Sequence, residues 1–283
     1  MSSILIADCG SSKTDWSIIS PDAQQTIRTN GFNPVHQSPE ILRAILNDEV
    51  DLKGTKDIAK IIFYGAGVKD DSKKKLIQEE LSSFYQVSDI EVYSDLIAAA
   101  HATCGDEKGV CCILGTGSNS GYYNGQIIAH QNPSLGYIIG DEGSGTFSGK
   151  RVLQYFFYHT FDDDLMDMFK TKYGNDLSAI LHKVYKEPYG NKYLASFTTF
   201  LAENRGHYMI ENIIEDAFID FHQRHILKYR QSWVYPIHFV GSVAYEFKDV
   251  LFSLQEQYVV ETGKILKNPM SGLIDYHLSK MKN

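Results

Sequence analysis

Two segments of this chain share one pattern, in which an apolar run is bent at a short turn of small residues and then returns. Residues 3–19 are bent at the turn Cys9 to Lys13, and residues 110–123 at the turn Gly115 to Asn119. β-rich runs on either side of a turn made of glycine, serine and threonine are typical of β-hairpins. Because a third short run follows each hairpin, the sequence predicts an internal duplication built on two three-stranded starts.

Helical patterns alternate with strands over the rest of the chain. The first half has the predicted order βββαβαβα, and the second half becomes helical from about Gly145 to Arg230. The other predicted elements of the second half are the strand Gln126 to Ala129, the strand Ile237 to Val240, the helix Val243 to Gln255, the strand Tyr258 to Thr262 and the helix Ser271 to Lys280. This alternation predicts an α/β architecture of two related lobes, with a ligand site in the cleft between them. We expect the lobes to comprise residues 1–107 and 108–283, with the last helix packing back on the first lobe.

Length, charge and cysteine usage narrow the function classes. At 283 residues the chain is long enough for about two domains, and 27 Lys and Arg against 35 Asp and Glu leave a net charge of −8. This balance argues against a nucleic-acid-binding surface or a polybasic membrane anchor. Four cysteines do not make a disulfide framework, and we find no export signal and no long apolar run. We therefore expect a cytoplasmic protein that binds neither nucleic acid nor membranes.

Both hairpin turns are candidate phosphate sites. Asp8, followed by Gly10 to Thr14, offers a carboxylate that can hold Mg²⁺ through water, with backbone N–H groups, hydroxyls and Lys13 for phosphate oxygens. The turn Gly115 to Ser118 offers a second set of small residues, and it matches neither the Rossmann nor the Walker A pattern. Each alone could be an ordinary hairpin turn. Two of them at matching places favour a clamp on the β- and γ-phosphates of a nucleotide.

Three further motifs carry candidate chemistry. Asp95 leaves a strand at the start of a helix, where it could accept a proton from an attacking hydroxyl or simply cap the helix. Four glycines surround Asp141 and Glu142 between Gly136 and Gly145, a loop suited to sugar hydroxyls, although capping of the next helix is compatible with it. The strand-to-helix turn at Gly241 could lie against adenosine or could serve close packing alone.

Taken together, these motifs resemble a known family. The series runs D-x-G-S-S-K-T-D from Asp8, S-D-x-x-A-A-A from Ser94, I-L-G-T-G-S-N-S from Ile113, L-G-Y-x-x-G-D-E-G-S-G from Leu135 and V-G-S-V from Val240. It resembles the N-acetylglucosamine kinase-like branch of the family that also holds the ATPase activators of benzoyl-CoA reductase, in the superfamily of sugar kinases, heat-shock chaperone ATPases and actin. The resemblance implies two ribonuclease-H-like lobes, a duplicated βββαβα unit, with a helical insertion in the second.

The resemblance also implies roles for individual residues. Asp95 would be the catalytic base on a sugar 6-hydroxyl, and Asp8 would hold Mg²⁺ through water. The residues implied in ATP and phosphate binding are Gly10, Ser11, Ser12, Lys13, Thr14, Gly115, Thr116, Gly117, Ser118, Gly241 and Ser242. The residues implied in substrate binding are Asn33, Gly65, Thr116, Gly136, Tyr137 and Asp141.

The leading hypothesis is an ATP- and Mg²⁺-dependent kinase for the 6-hydroxyl of an amino sugar, N-acetylglucosamine in particular, working as a homodimer. Two alternatives stay open: a kinase for glucosamine or another hexose, and an ATPase switch that powers a redox partner. Such switches hold an Fe–S cluster with thiolates, whereas Cys111 and Cys112 lie in an apolar run. The pair His222 and His225 has helical spacing, and we interpret it as a solvated helix face and not as a zinc site.

Overall fold

The computed structural model describes residues 3–11, 13–20, 24–48, 58–68 and 70–281. The chain divides into two units, Met1–Asp106 together with Pro269–Asn283, and Glu107–Asn268. Within the described ranges, no helix combines the length and the apolar character needed to cross a membrane.

The first unit is built on a five-stranded mixed sheet. Its strands are β1 (Ser3–Cys9), β2 (Lys13–Ile19), β3 (Gln24–Asn30), β4 (Ile58–Gly65) and β5 (Ile90–Ser94), and its first three helices are α1 (Pro39–Asp48), α2 (Asp71–Tyr85) and α3 (Asp95–Thr103). The sheet order is β3-β2-β1-β4-β5; β1 runs antiparallel to β2 and parallel to β4. The predicted order βββαβαβα is confirmed; β1, β2 and β4 carry the buried apolar runs, whereas β3 at the edge of the sheet is polar and mostly exposed.

The second unit contains the other sheet and most of the helices. Its strands are β6 (Gly109–Leu114), β7 (Ser118–Tyr123), β8 (Ile128–Gln131), β9 (Ile237–Val240) and β10 (Thr262–Leu266). Its helices are α4 (Gly136–Ile139), α5 (Gly145–Phe157), α6 (Asp163–Tyr173), α7 (Leu177–Tyr185), α8 (Gly190–Ser196), α9 (Thr198–Glu203), α10 (Tyr208–Arg224), α11 (Ser242–Glu246) and α12 (Lys248–Gln257). Two 3₁₀ turns, Ile226–Lys228 and Arg230–Trp233, follow α10.

The two sheets have the same topology. The second sheet has the order β10-β9-β6-β7-β8, which read from its other edge repeats the order of the first. As in the first unit, an antiparallel hairpin, β6 with β7, is extended on its other side by a parallel strand, β9. The duplication predicted from the two hairpin starts is confirmed, and the helices α4 to α10 form the insertion of the second unit.

The last helix, α13 (Met270–Met281), belongs to the first unit although it follows β10 in the chain. Its Gly272 packs against α3, where an added Cβ would lie 2.3 Å from the carbonyl oxygen of Ala102. The hydroxyl of Tyr64, at the end of β4, lies 2.8 Å from Nδ1 of His101 on α3 and 2.8 Å from Nε2 of His277 on α13. Buried packing and this polar cluster therefore fix α13 to the first unit.

Three predicted elements of the second unit are wrong in their bounds. The helix predicted over Val243 to Gln255 is interrupted at Phe247, whose buried ring ends α11 and precedes α12. The last strand is β10, and not Tyr258 to Thr262, because Tyr258 is the C-cap of α12. The third strand is Ile128–Gln131, two residues later than predicted.

Candidate functional site

The first unit brings carboxylates together at the end of its central strand. The antiparallel register of β1 and β2 places Asp8 directly opposite Asp15. Asp15 is buried and paired with Arg28, whose Nε lies 2.6 Å from Oδ1 and whose Nη2 lies 3.0 Å from Oδ2. Burial, with the nearby charges of Asp15 and Asp95, raises the pKa of Asp8 to about 7, against the opposing charge of Lys13. A cation beside Asp8 would relieve this repulsion.

The turn after Asp8 is held by contacts on its inner side. The backbone N–H of Gly10 donates to the carbonyl of Lys13 over 2.9 Å. The buried hydroxyl of Thr14 lies 3.0 Å from the sulfur of Cys9 and 3.2 Å from the carbonyl of Asn30. Thr14 thus uses its side chain to stabilise the turn, whereas the side chain of Lys13 is exposed. Ser12, the other hydroxyl residue predicted to bind phosphate, lies outside the described residues.

Asn33, which is predicted to bind the sugar, contacts the predicted phosphate turn through Ser11. Its Nδ2 donates to the hydroxyl of Ser11 over 2.9 Å, and its Oδ1 accepts the backbone N–H of Val35 over 3.0 Å. Because the N–H of Val35 can only donate, this second contact fixes the orientation of the amide. Gly67, with φ of 77°, approaches so closely that an added Cβ would lie 2.3 Å from Oδ1 of Asn33.

Gly65, the last residue of β4, has a packing reason for lacking a side chain. An added Cβ would lie 2.7 Å from the ring of Phe63 and 2.9 Å from Val68. Its strand neighbour in β1 is Cys9, so Gly65 lies level with the start of the phosphate turn. The structure therefore positions this predicted sugar residue beside the turn while giving it a structural role as well.

Asp95 is the first residue of α3, and it is not the helix cap. Ser94 is the N-cap, with its hydroxyl accepting the backbone N–H of Ile97 over 3.4 Å. The half-buried carboxylate of Asp95 is close enough to Asp8 to raise its pKa. The N-cap is therefore Ser94 and not Asp95, and the carboxylate of Asp95 belongs to the acidic group at the end of the sheet.

In the second unit the turn after β6 is fastened to the start of α5. The backbone N–H of Gly115 donates to the carbonyl of Gly117 over 3.0 Å, which closes the turn. In addition, the N–H of Gly145 donates to the carbonyl of Gly115 over 2.8 Å, and the N–H of Thr146 to that of Thr116 over 3.1 Å. The turn is therefore a fixed part of the fold.

Asp141 packs against this turn. It has a left-handed backbone, with φ of 57°, and its buried carboxylate accepts the N–H of Ser118 over 3.4 Å. Gly117 leaves room for the carboxylate, since an added Cβ would lie 2.9 Å from Oδ2. Burial raises the pKa of Asp141, while the Ser118 N–H and the charge of Lys150 lower it. The buried hydroxyl of Ser118 has no hydrogen-bond partner among the described residues.

Gly241 packs against the same turn from the other side. Its φ is 136°, and an added Cβ would lie 2.1 Å from the carbonyl oxygen of Leu114. Close packing, which the sequence left as the simpler alternative, is therefore one role of this glycine. It also sets Ser242, the exposed first residue of α11, next to the turn Gly115 to Ser118.

The predicted sugar loop contains a short helix that the sequence did not indicate. Gly136, with φ of 76°, begins α4, and the ammonium group of Lys150 on α5 donates to the carbonyl of Tyr137 over 2.8 Å. Sequence reasoning missed Lys150, because its contact spans 13 residues and depends on the fold of α4. Side chains on this segment are exposed at Leu135, Ile138 and Ile139.

The interpretation of His222 and His225 as a solvated helix face is wrong, since both are buried. Nδ1 of His222 lies 2.8 Å from the carbonyl of Phe218, and Nε2 of His225 lies 3.2 Å from Glu142. Helical spacing alone hid this burial, which for His222 involves the rings of Phe239 and Tyr258 and for His225 the loop that carries Glu142. No group of three metal-ligating side chains converges anywhere in the ranges that the structure describes.

The predicted site residues thus fall into two groups, one in each unit. The first unit brings together Asp8, Gly10, Ser11, Lys13, Asn33, Gly65 and Asp95. The second unit brings together Gly115, Thr116, Gly117, Ser118, Asp141, Gly241 and Ser242, with Gly136 and Tyr137 linked through Lys150.

Comparison with solved structures finds similar proteins over nearly the whole chain. A "putative N-acetylglucosamine kinase" from Porphyromonas gingivalis is 36% identical, with a TM-score of 0.93, over 98% of this chain and 99% of that one. A protein of the same description from Chromobacterium violaceum is 15% identical, with a TM-score of 0.73, over 98% of this chain and 99% of that one.

The actin-like protein MreB 5 of Spiroplasma citri, solved with the ATP analogue AMPPNP, is 9% identical, with a TM-score of 0.63, over 100% of this chain and 96% of that one. At this level of identity, MreB 5 and the Chromobacterium protein show the fold alone. No protein-family model and no curated protein sequence matches the chain.

Proposed function

This chain belongs to the same family as the Porphyromonas gingivalis protein, within the superfamily of actin, sugar kinases and Hsp70 chaperones, and on that premise we propose that it is an ATP-dependent sugar kinase. The observation that carries the proposal is the position of Asp95, directly after β5 and beside Asp8, with capping left to Ser94. A half-buried carboxylate directly after a strand end, close to a second carboxylate, is suited to act as a general base.

The proposed reaction is transfer of the γ-phosphoryl group of ATP to the 6-hydroxyl of an amino sugar. Asp95 would accept the hydroxyl proton as the sugar oxygen attacks phosphorus. A general base in this position contributes typically about 10²–10⁴-fold to the rate. Positioning and charge stabilisation supply most of the rest in phosphoryl transfer.

Phosphate oxygens would be held largely by backbone. The turn at Gly10 to Lys13 offers N–H groups and the cation of Lys13, and the hydroxyl of Ser11, which accepts from Asn33, can donate its own proton. In the second unit, the fixed turn Gly115 to Ser118 and the adjoining Gly241 and Ser242 would bind the remaining phosphates and the adenosine. Such concave groups of N–H donors bind anions without a large net positive charge.

The acidic group of the first unit fits Mg²⁺. Magnesium binds through one or two carboxylates while keeping several waters, and it does not need a cage of protein ligands. Asp8 meets this description, since the carboxylate opposite it in the hairpin, Asp15, is already paired with Arg28. The metal would neutralise charge that develops on the phosphates, and Asp8 would hold it through water.

The acceptor would be bound by Asn33, Gly65, Thr116, Gly136, Tyr137 and Asp141. Carboxylate and amide groups bind sugar hydroxyls, and the contact of Asp141 with the N–H of Ser118 supports such a role by orienting the carboxylate. N-acetylglucosamine is the acceptor we propose, supported by the description of the 36% identical protein.

The alternative of an ATPase switch for a redox partner has less support. Cys111 and Cys112 lie buried within β6, the central strand of the second sheet, where they pack as small apolar side chains. A cluster-binding thiolate has to reach the metal, so these two residues do not fit that role.

The test is ATP consumption by the purified protein with Mg²⁺ and one sugar at a time: N-acetylglucosamine, glucosamine, N-acetylmannosamine and glucose. We expect sugar-dependent ADP release with N-acetylglucosamine, and a product whose phosphate NMR signal couples to the protons at carbon 6. ADP release that is independent of every sugar would favour the ATPase switch. A product phosphorylated at another carbon would refute the proposed acceptor hydroxyl.

A further inference from the structure

Lys150 is a charged group that neither the sequence motifs nor the proposed reaction uses. It lies on α5, half-buried, and its ammonium group donates to the backbone carbonyl of Tyr137 over 2.8 Å. A lysine that reaches back from one helix to a backbone carbonyl of the preceding loop fixes that loop, because a charge-assisted bond to a partly buried carbonyl is stronger than a neutral one.

Its position also brings the positive charge close to the loop carboxylates. The charges of Asp141 and Glu142 act on Lys150, and the charge of Lys150 in turn lowers the pKa of Asp141. The pKa of Asp141 is also affected by its burial, by the N–H of Ser118, and by the charges of Glu142 and His225. Arg151, the next residue on α5, acts on the pKa of Lys150. Glu142 is engaged elsewhere, with Nε2 of His225 at 3.2 Å and Nε of Arg224 at 3.8 Å.

We propose that Lys150 is a positioning residue for acceptor binding: its bond to the carbonyl of Tyr137 holds the Gly136–Tyr137 segment, which leads into Asp141, in the conformation that binds the sugar. This inference rests on the proposed sugar kinase function. Lys150 itself touches neither the sugar nor the phosphates; it acts through Tyr137 and Asp141.

The charge of Lys150 also acts on the carboxyl group of Asp141. Burial and the charge of Glu142 both favour the protonated form of the carboxyl group, and a protonated carboxyl loses an acceptor site. The positive charge of Lys150 acts in the opposite direction and lowers the pKa of Asp141. Burial lowers the pKa of Lys150, but the two carboxylates counteract this by stabilising its charged form.

The test compares the sugar KM and kcat of four proteins at pH 6 and pH 8: wild type, Lys150→Gln, Lys150→Arg and Arg151→Met. Lys150→Gln removes the charge but keeps a donor for the Tyr137 carbonyl, and Lys150→Arg keeps the charge. Arg151→Met is the matched control, because it removes a cation from the same helix that has no resolved influence on Asp141 and contacts the same ring, Phe147.

We expect Lys150→Gln to raise the N-acetylglucosamine KM about threefold to tenfold, by the larger factor at the lower pH, because loss of the positive charge shifts Asp141 towards its protonated form. Its kcat should change less than KM, and Lys150→Arg should restore the wild-type pH profile. Thermal unfolding at both pH values confirms that the variants are folded; if Lys150→Gln is not, Lys150→Met with the same measurements replaces it.

An unchanged KM profile in Lys150→Gln, or an equal change in Arg151→Met, would overturn the inference while leaving the proposed function intact. Absence of sugar-dependent turnover in the wild type would overturn the proposed function, and this inference with it.

Discussion

The side-chain amide of Asn33 donates a hydrogen bond to the hydroxyl of Ser11 over 2.9 Å, although 22 residues separate them in the chain. The Ser11 hydroxyl accepts this bond and keeps its own hydrogen for another acceptor, such as a phosphate oxygen. The residue predicted to contact the sugar is thereby linked to the residue predicted to contact the nucleotide.

This link predicts that the two residues act as a unit. Ser11→Ala and Asn33→Ala should each raise KM for both ATP and sugar. The double variant should lose less transition-state stabilisation, measured as kcat/KM, than the sum of the losses in the two single variants. Residues that share one hydrogen-bond network show interaction energies of about 0.5–3 kcal/mol in double-mutant cycles. The measurement is kcat/KM for both substrates in all four proteins. Strictly additive losses would contradict the link.

Gly241 should tolerate substitution poorly. Gly241→Ala would place a Cβ 2.1 Å from the carbonyl oxygen of Leu114 at a φ of 136°, so both backbone strain and a clash oppose it. We expect a loss of about 3 kcal/mol or more in the free energy of unfolding, measured with urea. Gly206→Ala is the control: its φ is 89°, but nothing lies within 4 Å, so only strain of about 1–2 kcal/mol is expected. Equal losses in both variants would refute the packing role.

The cluster around Tyr64 should make stability depend on pH. Burial lowers the pKa of both His101 and His277 to about 4, from an ordinary value of 6.5. The unfolded chain therefore binds protons first, so this contribution to stability is fully present above pH 6.5 and is lost as pH falls towards 4. His222 in the second unit, with its pKa also lowered to about 4, acts in the same direction.

Urea unfolding at several pH values between 7 and 4.5 checks this dependence. Each such histidine can contribute a slope of up to about 1.4 kcal/mol per pH unit. His277→Gln, which keeps a hydrogen-bonding group beside Tyr64, should reduce the slope, whereas His182→Gln on the exposed face of α7 should not. A slope that is the same in His277→Gln and wild type would contradict the assignment.

Much of the fold can be predicted from local sequence patterns, but the exact residues at which some elements begin and end cannot. Apolar runs and turn residues predict β1, β2, β6 and their hairpins, because these signals lie within a few residues of each other. By contrast, the apolar pair Val259 and Val260 resembles a strand, yet it follows the end of α12, where Val259 takes a left-handed backbone with φ of 55°. The backbone N–H groups of Val259 and Val260 instead donate to the carbonyls of Glu256 and Gln255, which ends the helix at a turn.

The candidate site likewise has features that the sequence predicts and features that it does not. The sequence identifies the strand ends and turns that carry Asp8, Asp95 and Asp141, since glycine and acidic residues mark them. It offers both Ser94 and Asp95 as the cap of α3 without deciding between them, and it does not reveal that Lys150 reaches Tyr137, because both depend on side-chain geometry in the folded chain.

Asp8 should control the requirement for Mg²⁺. Asp8→Asn removes the carboxylate proposed to hold the metal through water, so the Mg²⁺ concentration for half-maximal turnover should rise about tenfold or more, as is typical when a metal's surroundings lose a carboxylate. A titration of activity with Mg²⁺ after chelation measures this. Asp106→Asn, which alters an exposed ion pair with Lys280, is the control. The same Mg²⁺ dependence in Asp8→Asn and wild type would argue against the assignment.

The most direct test of the account is the turnover of Asp95→Asn. Asp71→Asn is its matched control, because Asp71 is also the first residue of a helix, α2, that another residue, Asp70, caps. We predict that Asp95→Asn lowers kcat for ATP-dependent phosphorylation of N-acetylglucosamine by about 10²–10⁴-fold, with Asp71→Asn near wild type. A kcat of Asp95→Asn within a few-fold of the wild type would contradict the account.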